Sequence, residues 1–157
     1  MHYFAFRMLA MPILASLGVT LAAAPPNFSG SWKMNPAKSD FGPMPAPLQA
    51  SSKIDHQEPH LKLVGTEVRE EGERTFEMSI STDGAETTNQ IGPLTLKTKA
   101  RWEGSALLVD SKATTDDGDL VIKDQWSLSE DGKTLTVVRN ISGPRGEMTV
   151  KVVQDKQ

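Results

Sequence analysis

The sequence predicts an all-β domain: a single antiparallel meander of about eight to ten strands that closes into a barrel, with little helix. Three observations lead there. Turn dipeptides punctuate the chain, with Asp-Gly at Asp83-Gly84, Asp117-Gly118 and Asp131-Gly132, Glu-Gly at Glu71-Gly72 and Glu103-Gly104, and Gly-Pro at Gly92-Pro93 and Gly143-Pro144. Gly supplies the positive φ that tight hairpins require, and Asp tolerates it. Between these points lie runs of strand length that alternate apolar and polar residues, and no stretch after the N-terminal apolar leader holds a 3.6-residue apolar period over three turns.

The runs in order are Ser29–Asn35, Leu48–Gln57, Leu61–Arg69, Arg74–Ser81, Glu86–Ile91, Leu94–Trp102, Ala106–Thr114, Asp119–Leu128, Lys133–Ile141 and Glu147–Gln154. Alternation assigns their faces, because successive side chains of a strand point to opposite sides. Leu94, Leu96, Thr98, Ala100 and Trp102 share one face, and Lys97, Lys99 and Arg101 take the wet one. Leu120, Ile122, Asp124, Trp126 and Leu128 share a face, as do Leu135, Val137, Arg139 and Ile141. Two inward faces therefore each carry one ionisable residue, Asp124 and Arg139. The stretch Pro36–Pro47 breaks the pattern, since Pro cannot donate to a sheet ladder. It is expected to be a crossover loop, long enough to cap one end of a barrel.

A chain of 157 residues suits one domain with one core. The first 24 residues have the pattern of a secretory signal: Arg7, an apolar run from Met8 to Leu21, then Ala22-Ala23-Ala24. The apolar run is short for a membrane span and contains Pro12. The expected organisation is thus a signal peptide over 1–24 and a barrel domain over 25–157, with no membrane span after cleavage and a periplasmic or extracellular destination. Removing the leader takes away Arg7 and no acid, leaving 16 basic and 20 acidic residues and a formal charge of −4. That balance gives no electrostatic footprint for nucleic acid. With no cysteine, disulfides, thiolate nucleophiles and cysteine zinc sites are excluded.

The opening stretch "NFSGSWKMN" resembles the first strand of the calycin superfamily, the lipocalins and fatty-acid-binding proteins. Gly30-Ser31-Trp32 matches the lipocalin Gly-x-Trp, and Phe28, Gly30, Trp32 and Lys33 match the Phe-x-Gly-x-Trp-Lys of fatty-acid-binding proteins. The resemblance implies a lipocalin-like barrel with Gly30 and Trp32 closing one end. It also implies a late basic residue packed over the indole, for which Arg139 is the candidate. Where fatty-acid-binding proteins place two helices, this chain has its Pro-rich segment. Across nearly the whole domain the chain is similar to secreted bacterial proteins of Acidobacteria type. The matching motifs lie at Phe28–Gly42, Ala100–Leu107 and Trp126–Thr136. That similarity brings no activity with it.

The candidate ligand-binding residues are Trp102, Asp124, Trp126 and Arg139. Asp124 and Arg139 either form a structural ion pair, or hold the polar head of an amphipathic ligand, an inward Arg being a natural carboxylate partner. The alternative for Arg139 alone is stacking on Trp32. The tryptophans either line a pocket or simply fill the core. His56, Glu58 and His60 fall in a Pro-containing turn and are expected to be an exposed hairpin rather than a metal site. Thr114–Asp119 lacks the ligand spacing of a calcium loop. No nucleophile, base and orienting acid fall into a recognisable catalytic pattern, and no cofactor is implied. The expected function is a non-enzymatic exported binder of a small apolar or amphipathic molecule. The rival is a closed-core interaction domain that binds an envelope protein or polymer through its outer surface. For export the expected result is an intact mass lacking residues 1–24; an intact Met1 in the membrane fraction would refute it.

Overall fold

The computed structural model describes residues 23–157, so the expected leader lies outside the described residues but for Ala23 and Ala24. Ten strands follow: β1 (Gly30–Met34), β2 (Gln49–Gln57), β3 (His60–Arg69), β4 (Gly72–Ser81), β5 (Thr87–Ile91), β6 (Leu94–Glu103), β7 (Ala106–Thr115), β8 (Gly118–Leu128), β9 (Thr134–Gly143) and β10 (Gly146–Lys156). They form one antiparallel sheet in the order β4-β3-β2-β1-β10-β9-β8-β7-β6-β5. Each strand thus pairs with its sequence neighbours, except that β4 and β5 form the two edges and do not pair, while β1 pairs with β10 and joins the first and last strands of the meander. No helix occurs among the described residues. This is a nearly closed, ten-stranded antiparallel barrel.

The barrel closes without a ladder between β4 and β5. Side chains of β5 take its place around one residue of β4. The Ser79 amide donates to Asn89 Oδ1 at 2.6 Å, while Asn89 Nδ2 and Thr87 Oγ1 donate to the Ser79 carbonyl at 2.9 and 2.8 Å. Asn89 is buried. An amide side chain has both a donor and an acceptor, so it can satisfy an N–H and a C=O together.

The turns sort to two ends. One end carries the β2–β3, β4–β5, β6–β7 and β8–β9 connections and is filled by apolar side chains; the other, here the mouth, carries the remaining turns and the β1–β2 crossover. The crossover does not arch over the mouth at its start. After β1 it continues beside β10: the Asn35 amide donates to the Val153 carbonyl at 2.8 Å, the Val153 amide donates to Ser39 Oγ at 3.0 Å, and Asp40 and Lys151 exchange both backbone bonds. The expected cap is therefore half a continuation of the sheet. Farther on, Arg69 Nη1 donates to the Pro45 carbonyl at 2.9 Å and ties the crossover to the end of β3.

The main core gathers at the closed end. Phe28, Trp32, Ile54, Leu61, Leu107, Trp126 and Leu135 form its centre, with Phe28 and Leu107 wholly buried. Two glycines make room for neighbours. Gly30 has φ +144°, and a Cβ there would lie 2.7 Å from Lys156 Cε. Its missing side chain lets the Lys156 stem reach Trp32. Gly65 of β3 lies opposite Phe76 of β4, and a Cβ there would collide with three carbons of the Phe76 ring. The ring thus covers the bare backbone of the neighbouring strand. Gly65→Val is expected to cost about 1–3 kcal/mol in urea unfolding, the usual range for overpacking, and Phe76→Ala alongside should recover part of it. Unchanged stability of Gly65→Val would show that the ring does not occupy that place.

Candidate ligand site in the barrel interior

The floor of the barrel is an aromatic plug. Phe28 precedes β1 and stacks on Trp102 with ring centroids 5.7 Å apart and planes 3° from parallel. It meets His56 at 5.7 Å and takes the edge of Trp126 at 5.8 Å. His56 is only 2% exposed, which corrects the expectation of an exposed hairpin. Its position on β2 explains this: Ser52, Ile54 and His56 alternate with wet residues, so His56 belongs to the inward face. The following turn then folds beneath it. The Phe28 amide donates to His56 Nδ1 at 3.1 Å, which leaves the proton on Nε2, 2.8 Å from Glu58 Oε1. Glu58 also accepts from Trp102 Nε1 at 2.9 Å and from the Thr82 hydroxyl. His60 stands on the exposed face of β3, away from this pair. Among the described residues no three His, Asp or Glu side chains converge as a metal-holding group.

Trp32 is 1% exposed, and its Nε1 donates to the Phe28 carbonyl at 3.0 Å. The cation over its ring is Lys156, with Nζ 5.4 Å from the centroid, and not Arg139. Register decides it, since Trp32 and Lys156 are direct cross-strand partners between β1 and β10. Arg139 is committed elsewhere. Asp124 of β8 lies directly opposite Arg139 of β9, and the two make a side-on bidentate pair: Nε to Oδ1 at 2.8 Å and Nη2 to Oδ2 at 2.6 Å. Trp126 Nε1 approaches Asp124 Oδ2 at 3.5 Å. Burial is the largest influence on Arg139 and disfavours its charge. The charge and hydrogen bonds of Asp124, joined by the charge of Glu67, outweigh it and hold Arg139 above the usual arginine range.

The two members of the pair are not equally hidden. The Asp124 side chain is 3% exposed and that of Arg139 is 41% exposed. The guanidinium faces a cavity of about 120 Å³ whose lining includes Ser52, Glu67, Phe76, Trp126, Arg139 and Gln154. Ser52 Oγ donates to Gln154 Oε1 at 2.9 Å, and Arg69 Nε donates to Glu67 Oε2 at 3.2 Å. The cavity is smaller than the roughly 300–1,000 Å³ of drug-sized sites and near the ~150 Å³ of an apolar void that takes up benzene. On the opposite inner wall Thr98 and Ser111 share a hydrogen bond of 2.9 Å. Every buried side-chain N and O among the described residues has a partner.

Of the four sequence-derived ligand candidates, the structure brings Asp124, Trp126 and Arg139 together. It puts Trp102 in the plug. Sequence reasoning missed Glu67, Ser52 and Gln154 at the cavity, and His56, Glu58 and Lys156 at the floor. Continued alternation along β2 would have found Ser52 and His56. No local signal marks Lys156 or Gln154, whose roles follow from the pairing of β1 with β10.

Solved structures with the same architecture share little sequence. The chain is similar to zebrafish ileal bile acid-binding protein in complex with cholic acid, with a TM-score of 0.57 and 14% identity over 83% of this chain and 98% of that one. It is similar to a secretory abundant heat soluble protein from Ramazzottius varieornatus, with a TM-score of 0.59 and 16% identity over 82% and 94%. Secretory abundant heat soluble protein 4 of the same organism gives 0.58 and 16% over 83% and 94%. These identities establish the fold alone. No known family profile matches the chain, and no curated protein does.

Glu58 carries a pH dependence. Burial is the largest influence and raises its pKa, but hydrogen bonds from Thr82, His56 and Trp102 outweigh it and hold the carboxyl below its ordinary value of 4.5. A depressed folded pKa contributes stability that is full above the unfolded value and is lost as the pH falls through the folded one. Urea unfolding of wild type and Glu58→Gln between about pH 3 and pH 7 is expected to show a gap that is widest at neutral pH and narrows below about pH 4.5. A gap independent of pH would remove Glu58 as the titrating group.

Proposed function

We propose that this chain is a non-enzymatic binding protein that holds a small apolar or amphipathic molecule inside its barrel and works outside the cytoplasm. The observation that carries the reading is the cavity beside Arg139, where a half-exposed guanidinium shares one chamber with Phe76, Trp126, Leu63 and Val137. Apolar walls with a few convergent polar groups are the usual make-up of small-molecule sites. Farther toward the mouth, Leu120, Ile122, Ile141 and Met148 face inward yet are only half-buried, so apolar surface continues outward from the cavity. The architectural likeness to a bile acid-binding protein supports the reading without indicating the same ligand. Export rests on the leader and on the resemblance to secreted bacterial proteins.

The cavity volume also favours a second reading. A chamber of about 120 Å³ leaves the barrel nearly solid, which suits a closed-core domain that meets an envelope protein or polymer through its outer wall. Denaturing extraction of the natively purified protein, followed by mass spectrometry, separates the two. The expected result is a co-purifying small molecule that is lost from Val137→Phe, a variant that fills the cavity. Folded wild-type protein with nothing bound, or an undiminished load in Val137→Phe, would favour the outer-surface reading.

A further inference from the structure

We propose that the interior site selects an uncharged head group, an alcohol or amide, against a carboxylate; this rests on the binding reading above. The reason is the number of charges already in place and the hydrogen-bond capacity left over. Arg139 spends Nε and Nη2 on Asp124, at 2.8 and 2.6 Å. Glu67 also lines the cavity and carries a charge that acts on Arg139, while Arg69 pairs with Glu67 at 3.2 Å. Asp124, Glu67, Arg69 and Arg139 therefore sum to zero. An entering carboxylate would be a third anion against two cations, in a chamber too small to bring its own hydration, and an unpaired charge out of water is the costliest group to accommodate.

The free polar atoms fit a neutral head. Nη1 of Arg139 makes no hydrogen bond among the described residues, although the side chain is 41% exposed. It offers donors to a single hydroxyl or carbonyl oxygen, and a guanidinium whose charge is already met can still donate to a neutral acceptor. Glu67 of β3 and Gln154 of β10, the strand beside that of Arg139, also line the cavity. Each already accepts one hydrogen bond, Glu67 from Arg69 and Gln154 from Ser52, and a carboxylate or amide oxygen keeps acceptor capacity for a hydroxyl or amide proton. Asp124 acts here as a positioning residue. Its own contacts are to Arg139 and Trp126, and by neutralising and orienting the guanidinium it decides what Arg139 can bind.

The test is a titration of the folded protein at neutral pH with 1-pentanol, pentanamide and pentanoate, three probes of equal chain length. Nuclear magnetic resonance of the Trp126 indole N–H reads occupancy beside the cavity. The expected result is saturable shifts with the alcohol and the amide, and binding of pentanoate weaker by at least about tenfold, since like-charge juxtaposition costs several kcal/mol. Asp124→Asn should reverse the order by leaving the Arg139 charge unmet. Glu67→Gln, a milder change at a half-buried position, should tighten pentanoate even if Asp124→Asn does not fold. Pentanoate binding as tightly as pentanol in the wild type would overturn the head-group assignment and leave the interior site standing. So would a Glu67→Gln or folded Asp124→Asn protein that rejects pentanoate as strongly as the wild type. No shift with any probe would remove the interior-binding reading, and the selectivity with it.

Discussion

The structure depends on the burial of Trp32 within a strand only five residues long. β1 is, with β5, the shortest strand of the sheet, yet it is the strand whose ladders join the two halves of the meander, β2 on one side and β10 on the other. Its ladders are short, and the crossover bonds at Asn35 and Asp40 lengthen the junction with β10. The indole adds side-chain burial to them. It is sealed at the closed end, its N–H is satisfied by the Phe28 carbonyl, and Lys156 of β10 lies over its face. A cation–π contact is worth about 0.5–2 kcal/mol according to how dry it is. The ladder register places Lys156 directly opposite Trp32 and so brings the cation to the ring. Gly30 is required two residues earlier because any side chain there would occupy the path of the lysine stem.

The turn dipeptides and the period-two alternation made most of the fold legible, because both are local. Asp131-Gly132 sets the β8–β9 hairpin, and the hairpin register then places Asp124 opposite Arg139. That pair could be read from the sequence for the same reason. Trp32 and Lys156 lie at nearly opposite ends of the chain, and no local pattern chooses Lys156 over Arg139 as the cation. The crossover misled in a different way. Its prolines exclude an inner strand, but Ser39 supplies a hydroxyl where a backbone carbonyl would have stood, so the segment follows β10 even though it is not a regular strand. His56 was misread because Pro59 drew attention to the turn, whereas the strand before it already assigned the imidazole to the interior.

The interior divides into chemistry that is finished and chemistry that is not. At the floor, each polar atom meets a partner: His56 lies between a backbone amide and Glu58, and Glu58 gathers Thr82, His56 and Trp102. Such a network specifies one arrangement of the plug, since leaving any buried member unpaired is costly. Beside the cavity the accounts are less complete. Asp124 is sealed while Arg139 keeps an edge toward open space. The contrast follows from position, because Asp124 lies behind the guanidinium and the guanidinium forms part of the cavity wall.

The seam between β4 and β5 gives the barrel a property that a fully laddered wall lacks. Three hydrogen bonds around Ser79 hold the two edges, and all of them pass through side chains of Asn89 and Thr87. Side chains can rotate without dismantling a strand. The girth of the barrel is consequently not fixed by a rigid register all the way around, as it is where backbone pairs with backbone. It has a clasp, and the clasp lies on the wall that Phe76 and Met78 of β4 present to the interior. Wall continuity at this seam therefore rests on the side chains of Asn89 and Thr87, whereas the other nine strand contacts around the barrel are backbone ladders.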